Sequence, residues 1–147
     1  MTHNPLTPGQ LAGKTAFVSG SSRGIGAATI GYFAEAGARV AINYRNKEAR
    51  AIKLRDGIVA NGGSAIAVGA DLTDYETIAA LRDTLAAEFG SLDILVLNAS
   101  GGMEAGMGDD YAMRLNRDAQ VNLLQTLRPL LHEGSRVVFV TSHQAHF

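Results

Sequence analysis

Three glycines, Gly20, Gly24 and Gly26 in the run Ser19-Gly20-Ser21-Ser22-Arg23-Gly24-Ile25-Gly26, carry the clearest chemistry in this chain. Glycine lets a phosphate come close to the backbone where any Cβ would stand in the way. A helix opening at this point would add N–H groups without intrahelical acceptors and the positive end of its dipole. The stretch therefore suits a pyrophosphate. No Gly-Lys-Ser/Thr follows it and Lys14 lies before it, which excludes the phosphate loop of nucleoside triphosphatases. Its first two glycines are separated by three residues, whereas the common dinucleotide fingerprint separates them by one.

Arg23 lies inside the glycine loop and Arg45 after the next apolar segment, where AINYRNK has no acid before Glu48. Dinucleotide sites place an acid there for ribose hydroxyls, or basic residues for a 2′-phosphate. Two planar guanidinium donors beside Tyr44 therefore favour NADP(H) over NAD(H), although either arginine alone reads equally well as a solvated charge. Asp71, followed by Leu72, either accepts from an adenine amino group or caps the next helix, a role for which Asp74 competes. Asn98, before Ala99, Ser100 and Gly101, either locks the glycine loop or meets the cofactor ribose.

Asn116 is either a satisfied core amide or the anchor of a water, and Asn122 fits the same description. Ser142 could hold a substrate oxygen, but no His–Asp pair in nearby sequence makes it a nucleophile, and His143 is only adjacent. His143 and His146 lack a third ligand and make a poor metal site. Glu104, Asp109 and Asp110 read as loop solvation and capping, and Met103, Met107 and Met113 as packing.

The elements that position these residues follow from apolar spacing. Lys14–Val18 is a short apolar run ending at the glycines, and Ile25, Ala28, Thr29, Tyr32, Phe33 and Ala36 then recur at helical spacing up to Gly37. RVAINYR reads as a second strand, about Glu48 to Ala60 as a helix, and Ser64 to Ala70 as a third strand. A helix from Asp74 to Gly90 follows, then a fourth strand Leu92–Leu97, a mostly helical stretch Asp110–Leu131 and a fifth strand Val137–Val140. The alternation predicts a doubly wound α/β fold, Rossmann-like, with a parallel sheet ordered 3-2-1-4-5. Residues 1–13, with Pro5, Pro8 and Gly9, form a lead-in to a nucleotide-binding domain over 14–147. Ligands in such sheets bind beyond the carboxyl ends of the strands, where the polar residues above are expected.

The 147 residues are 46% hydrophobic and 18% charged, with 17 glycines, a balance suited to one buried parallel sheet and many turns. A net charge of −1 and the absence of a basic run argue against nucleic acid as a partner. With no cysteine the chain has no disulfide, thiolate chemistry or cysteine-ligated metal. No apolar run is long enough for a membrane span and no export signal is evident, so a cytoplasmic setting is expected.

Taken together these motifs resemble the short-chain dehydrogenase/reductase family. Its Thr-Gly-x-x-x-Gly-x-Gly loop corresponds to residues 19–26 with Ser19 for Thr, its Asp-Leu/Val pair to Asp71-Leu72, and its Asn-Asn-Ala-Gly motif to Asn98-Ala99-Ser100-Gly101, which departs at two positions. The resemblance aligns the family's active-site asparagine with Asn116, its serine with Ser142 in VVFVTS, and its NADP-discriminating positions with Tyr44-Arg45 and Arg23. It implies hydride transfer between NADP(H) and a small carbonyl or secondary-alcohol substrate, with Ser142 orienting the carbonyl and Asn116 anchoring a proton-relay water.

The family's Tyr-x-x-x-Lys pair would fall about a dozen residues past Ser142, beyond Phe147, so the chain is expected to supply the cofactor site without the proton donor and to be inactive alone. The family's final strands would likewise be lacking. The fifth strand then has an open edge, to be covered by further chain or by a second copy, and a homo-oligomer, dimer or tetramer, is expected. Two rival readings are a non-catalytic NADP(H)-binding sensor or regulatory protein, and an epimerase or dehydratase using a transient hydride step.

Overall fold

In a computed structural model the chain is described over residues 4–98 and 109–140, and side chains over the same residues except 109–116. The apolar runs become parallel strands: β1 (Thr15–Val18), β2 (Arg39–Tyr44), β3 (Ser64–Gly69), β4 (Ile94–Asn98) and β5 (Arg136–Val140). Helices α1 (Gly24–Glu35), α2 (Glu48–Ala60), α3 (Tyr75–Phe89) and α4 (Asp109–Leu127) connect them. The strand order is β3-β2-β1-β4-β5, as the alternation predicted.

Side chains of a strand alternate between faces, and both faces here are apolar because helices cover each. Phe17, Ala41, Leu95 and Leu97 point to one side, where they join Ile78, Leu81, Leu85, Leu123 and Leu127 of α3 and α4. Ala16, Val18, Val40, Ile42 and Val96 point to the other, against Ile30, Ala34, Ala51 and Ile58 of α1 and α2. Phe17, the largest side chain of β1, is fully buried. Burying a side chain of this kind contributes on the order of 2–3 kcal/mol.

Of the boundaries that differ from the sequence reading, most by a single residue, three have a cause in the backbone hydrogen bonds. Helix α1 stops at Glu35, and Gly37 follows at φ 102° with its N–H on Ala34 O at 3.0 Å. The long helix ends at Leu127 in a short 3-10 turn, Arg128–Leu130, because Pro129 has no N–H to continue the ladder. Strand β4 starts at Ile94 rather than Leu92, since Leu92 N–H is taken by Leu130 O at 2.8 Å.

Asp93 ties the amino ends of three strands together. One carboxylate oxygen accepts from Thr15 N–H at 2.9 Å, the other meets His132 Nε2 at 2.7 Å, and the Asp93 carbonyl accepts from Arg136 N–H at 2.8 Å. Burial alone would raise the Asp93 pKa, but hydrogen bonds from Thr15 and His132 and the Lys14 charge together lower it. The His132 pKa is raised, first by the bond of Nδ1 to the Glu133 carbonyl and then by Asp93.

Strands β3 and β5 are the two edges of the sheet among the described residues, and β5 is the more exposed at its apolar side chains. Val137, Val138 and Phe139 are 37%, 46% and 56% exposed although strand-like in composition.

Candidate functional site

The glycine loop leaves β1 and is held between the carboxyl ends of β2 and β4. Asn43, on β2, accepts the Gly20 N–H on its Oδ1 at 2.8 Å, and its own backbone N–H donates to Ser21 Oγ at 2.8 Å. Ser21 Oγ in turn donates to Val18 O at 2.6 Å, and Ser21 N–H to Asn43 O at 3.1 Å. From β4, Asn98 N–H donates to Ser19 Oγ at 2.8 Å and Asn98 Nδ2 to Gly20 O at 3.4 Å. Ser19, Ser21, Asn43 and Asn98 are all buried, so their polar groups are satisfied by the loop they shape.

Close packing explains the third glycine. A Cβ on Gly26 would lie 2.6 Å from Gly20 O, 2.8 Å from Ser21 Cα and 2.9 Å from Asn98 Nδ2. Gly20 and Gly24 serve differently, at φ 60° and 62°, a region L side chains avoid. The resulting cradle is narrow in backbone and open toward solvent.

Helix α1 starts inside this loop. Arg23 is its N-cap in extended conformation with no side-chain cap bond, and Ala27 is the first residue to pair inward, to Arg23 O at 3.2 Å. The N–H groups of Gly24, Ile25 and Gly26 therefore have no intrahelical acceptor. Their dipoles, together with the exposed Arg23 guanidinium, make the loop mouth positive. Ile25 is 60% exposed beside it.

The second rim is built from the ends of β2 and β3. Arg45 Nε stands 3.8 Å from Asp71 Oδ2, both partly exposed. Tyr44 O–H donates to Glu48 Oε2 at 2.7 Å, which raises the phenol pKa, chiefly through that bond and then through desolvation and the Glu48 charge. The first acid after AINYRNK, Glu48 in the first turn of α2, has its carboxylate engaged by this bond. The Tyr44 ring lies across Gly69, where a Cβ would come within 3.0 Å of it.

Asp71 does not cap α3. Asp74 is the N-cap, its Oδ1 accepting from Glu76 N–H at 2.9 Å. Asp71 Oδ1 instead accepts from Thr73 Oγ1 at 2.6 Å and Thr73 N–H at 2.9 Å, which lowers its pKa, with a smaller contribution from Arg45. Its second oxygen faces Arg45.

The fold therefore brings Gly20, Ser22, Arg23, Gly24, Ile25, Gly26, Tyr44, Arg45, Asp71, Leu72 and Asn98 to one end of the sheet, with Leu72 half-buried against the core. Asn116 falls within α4, its side chain outside the described residues. Ala99, Ser100, Gly101 and Ser142 also lie outside them, as do His143 and His146.

Two residues at this end escaped the sequence reading. Asn43 is one, and its signal was a polar residue inside an apolar strand, which has to be paired when buried. Gln120 is the other, buried on α4 with Nε2 donating to Asn98 O at 3.3 Å and Oε1 without a partner among the described residues. Nothing in its helical spacing marks it.

The family model described as short chain dehydrogenase matches residues 14–147. Versicolorin reductase 1 of Dothistroma septosporum is 35% identical over 142 residues, covering 92% of this chain and 54% of that protein. The short chain dehydrogenase/reductase nsrJ of Aspergillus novofumigatus is 37% identical over 145 residues, covering 95% of this chain and 55% of its own length. A short chain dehydrogenase from Burkholderia cenocepacia, solved in complex with NADP, superposes with a TM-score of 0.76 at 40% identity over 88% of this chain and 56% of that one. The chain thus spans about half the length of these relatives. A matching family model over nearly the whole chain, on a sheet of the same order and a glycine cradle at its switch point, makes this chain a member of the short-chain dehydrogenase/reductase family.

Proposed function

We propose that this chain supplies the nicotinamide-nucleotide site of an oxidoreductase interconverting a carbonyl and a secondary alcohol, with NADP(H) preferred over NAD(H). The observation that carries the reading is the cradle itself: Gly26 packed on Gly20 at the unpaired N–H groups that open α1, with Arg23 in the loop and Arg45 directly after β2. Such a cradle fits a pyrophosphate, because the donors are fixed before any ligand arrives.

The Gly24–Gly26 N–H groups bind the pyrophosphate. Arg23 and Arg45 hold the 2′-phosphate from two sides, Arg45 being steadied by Asp71 at 3.8 Å. Asp71 and Leu72 flank the adenine, and Asn98, Ala99, Ser100 and Gly101 line the ribose side. When bound, the nicotinamide supplies or accepts the hydride. Ser142 orients the carbonyl oxygen, and Asn116 anchors a water that passes the proton. The substrate is a small molecule, the protein works in the cytoplasm, and it assembles as a homo-oligomer.

Titration of the purified chain with NADPH and NADH, followed by nicotinamide fluorescence, tests the cofactor reading. Saturable binding with NADPH the tighter ligand is expected, and the absence of saturation with either nucleotide ends the proposal.

A further inference from the structure

Helices α1 and α2 lie side by side on one face of the sheet and leave a groove of about 540 Å³ between them. Ala27, Gly31 and Ala34 of α1 and Leu54, Gly57 and Ile58 of α2 form half of its lining, at i, i+4, i+7 and i, i+3, i+4 spacing. This size lies within the range of roughly 300–1,000 Å³ usual for small-molecule pockets.

Gly31 and Gly57 are what make the space unusual. Both sit inside helices, neither has positive φ, and a Cβ on either would meet nothing within 4 Å. Unlike Gly26, they relieve no close approach, yet glycine weakens a helix interior relative to alanine. Their one visible effect is to keep the groove open.

The rim is cationic. Arg50 and Lys53 line it, and neither has an ion pair or hydrogen-bond partner among the described residues. The carboxylate at this groove, Glu35, is engaged as acceptor of Asn4 Nδ2 at 3.2 Å. No aromatic ring lines the groove to stack a base. An apolar floor edged by two cations and one carboxylate, a net excess of one positive charge, complements an apolar body with one anionic head.

We propose that this groove binds a small amphipathic anion, an apolar chain ending in a carboxylate, with its body on the Gly31–Gly57 floor and its head between Arg50 and Lys53. The site is separate from the nucleotide cradle and shares only Ser22 with the glycine loop. Its existence does not depend on the cofactor reading.

Decanoate titrated calorimetrically into the purified chain, with and without saturating NADPH, tests it. One saturable site is expected in both conditions, about tenfold weaker in the double variant Arg50→Gln/Lys53→Gln. Gly57→Leu fills the floor and should abolish binding while leaving the helical circular dichroism unchanged, and Gly31→Leu is the second filler should that variant not fold. Decanol binding as tightly as decanoate, or indifference to both fillers, would overturn the proposal. So would displacement of decanoate by NADPH that is lost in Arg45→Ala, since the groove would then belong to the nucleotide.

Discussion

Gly26 faces the carbonyl of Gly20 so closely that a Cβ would stand 2.6 Å from its oxygen. Two backbone segments, the exit of β1 and the first turn of α1, are therefore in van der Waals contact with no side chain between them. That contact aims the free N–H groups of α1 into one small volume.

Gly26→Ala must push these segments apart. The obstacles include backbone atoms of Gly20 and Ser21, which do not rotate away as a flexible side chain does. Overpacking of this kind costs about 1–3 kcal/mol. Urea unfolding should read that loss, and NADPH affinity should fall about tenfold or more; an affinity unchanged from the parent would detach the cradle from nucleotide binding.

Asn43→Ala removes the acceptor of Gly20 N–H, a bond of 2.8 Å at a residue that is 2% exposed. Leaving a buried donor unpaired costs about 1–3 kcal/mol. Amide hydrogen exchange at Gly20 and Ser21 should quicken more than elsewhere in the sheet. Uniform exchange across the molecule would mean that Asn43 is not what holds the loop.

Arg45→Glu reverses the charge at the second rim and also removes the partner of Asp71. Charge-assisted pairing with a phosphate is worth roughly twice a neutral hydrogen bond. The ratio of NADH to NADPH dissociation constants should fall about tenfold or more, mainly through NADPH. Equal weakening of both nucleotides would place Arg45 outside the 2′-phosphate site.

The Asp93–His132 pair gives stability a pH window. The His132 pKa is raised above its ordinary 6.5, so the contribution is full below that value and is lost as pH rises through the folded value. The Asp93 pKa is lowered below its ordinary 3.8, so its contribution is present above 3.8 and is lost as pH falls through the folded value. Thermal melts of the parent and His132→Gln should converge as pH rises from 6 to 9, with the parent higher at 6. A constant difference between them would remove the pair from the account.

Much of this architecture was written in local pattern. Apolar runs ending at Gly20, Asp71 and Asn98, separated by helical spacing, are enough for a parallel sheet, because continuous apolar strands need cover on both faces and crossovers are right-handed. Strand order followed, and with it the end of the sheet where Arg23, Arg45 and Asn98 gather. Local chemistry also separated this loop from a triphosphatase loop, since that needs a lysine the stretch does not contain.

Tertiary structure decided what distance along the chain conceals. Whether Asp71 or Asp74 capped α3 turned on which carboxylate lay in line with Glu76 N–H, and composition at two acids three positions apart could not tell. Asn43 was one polar residue in a strand until the fold set its amide 2.8 Å from Gly20, 23 residues away. Gly26, Gly31 and Gly57 look alike in sequence, yet one is crowded by backbone and two face open space, because only the packing of α1 against its neighbours determines what a Cβ would meet. Sequence set the kind of sheet and the residues at its rim; three-dimensional proximity alone assigned them their partners.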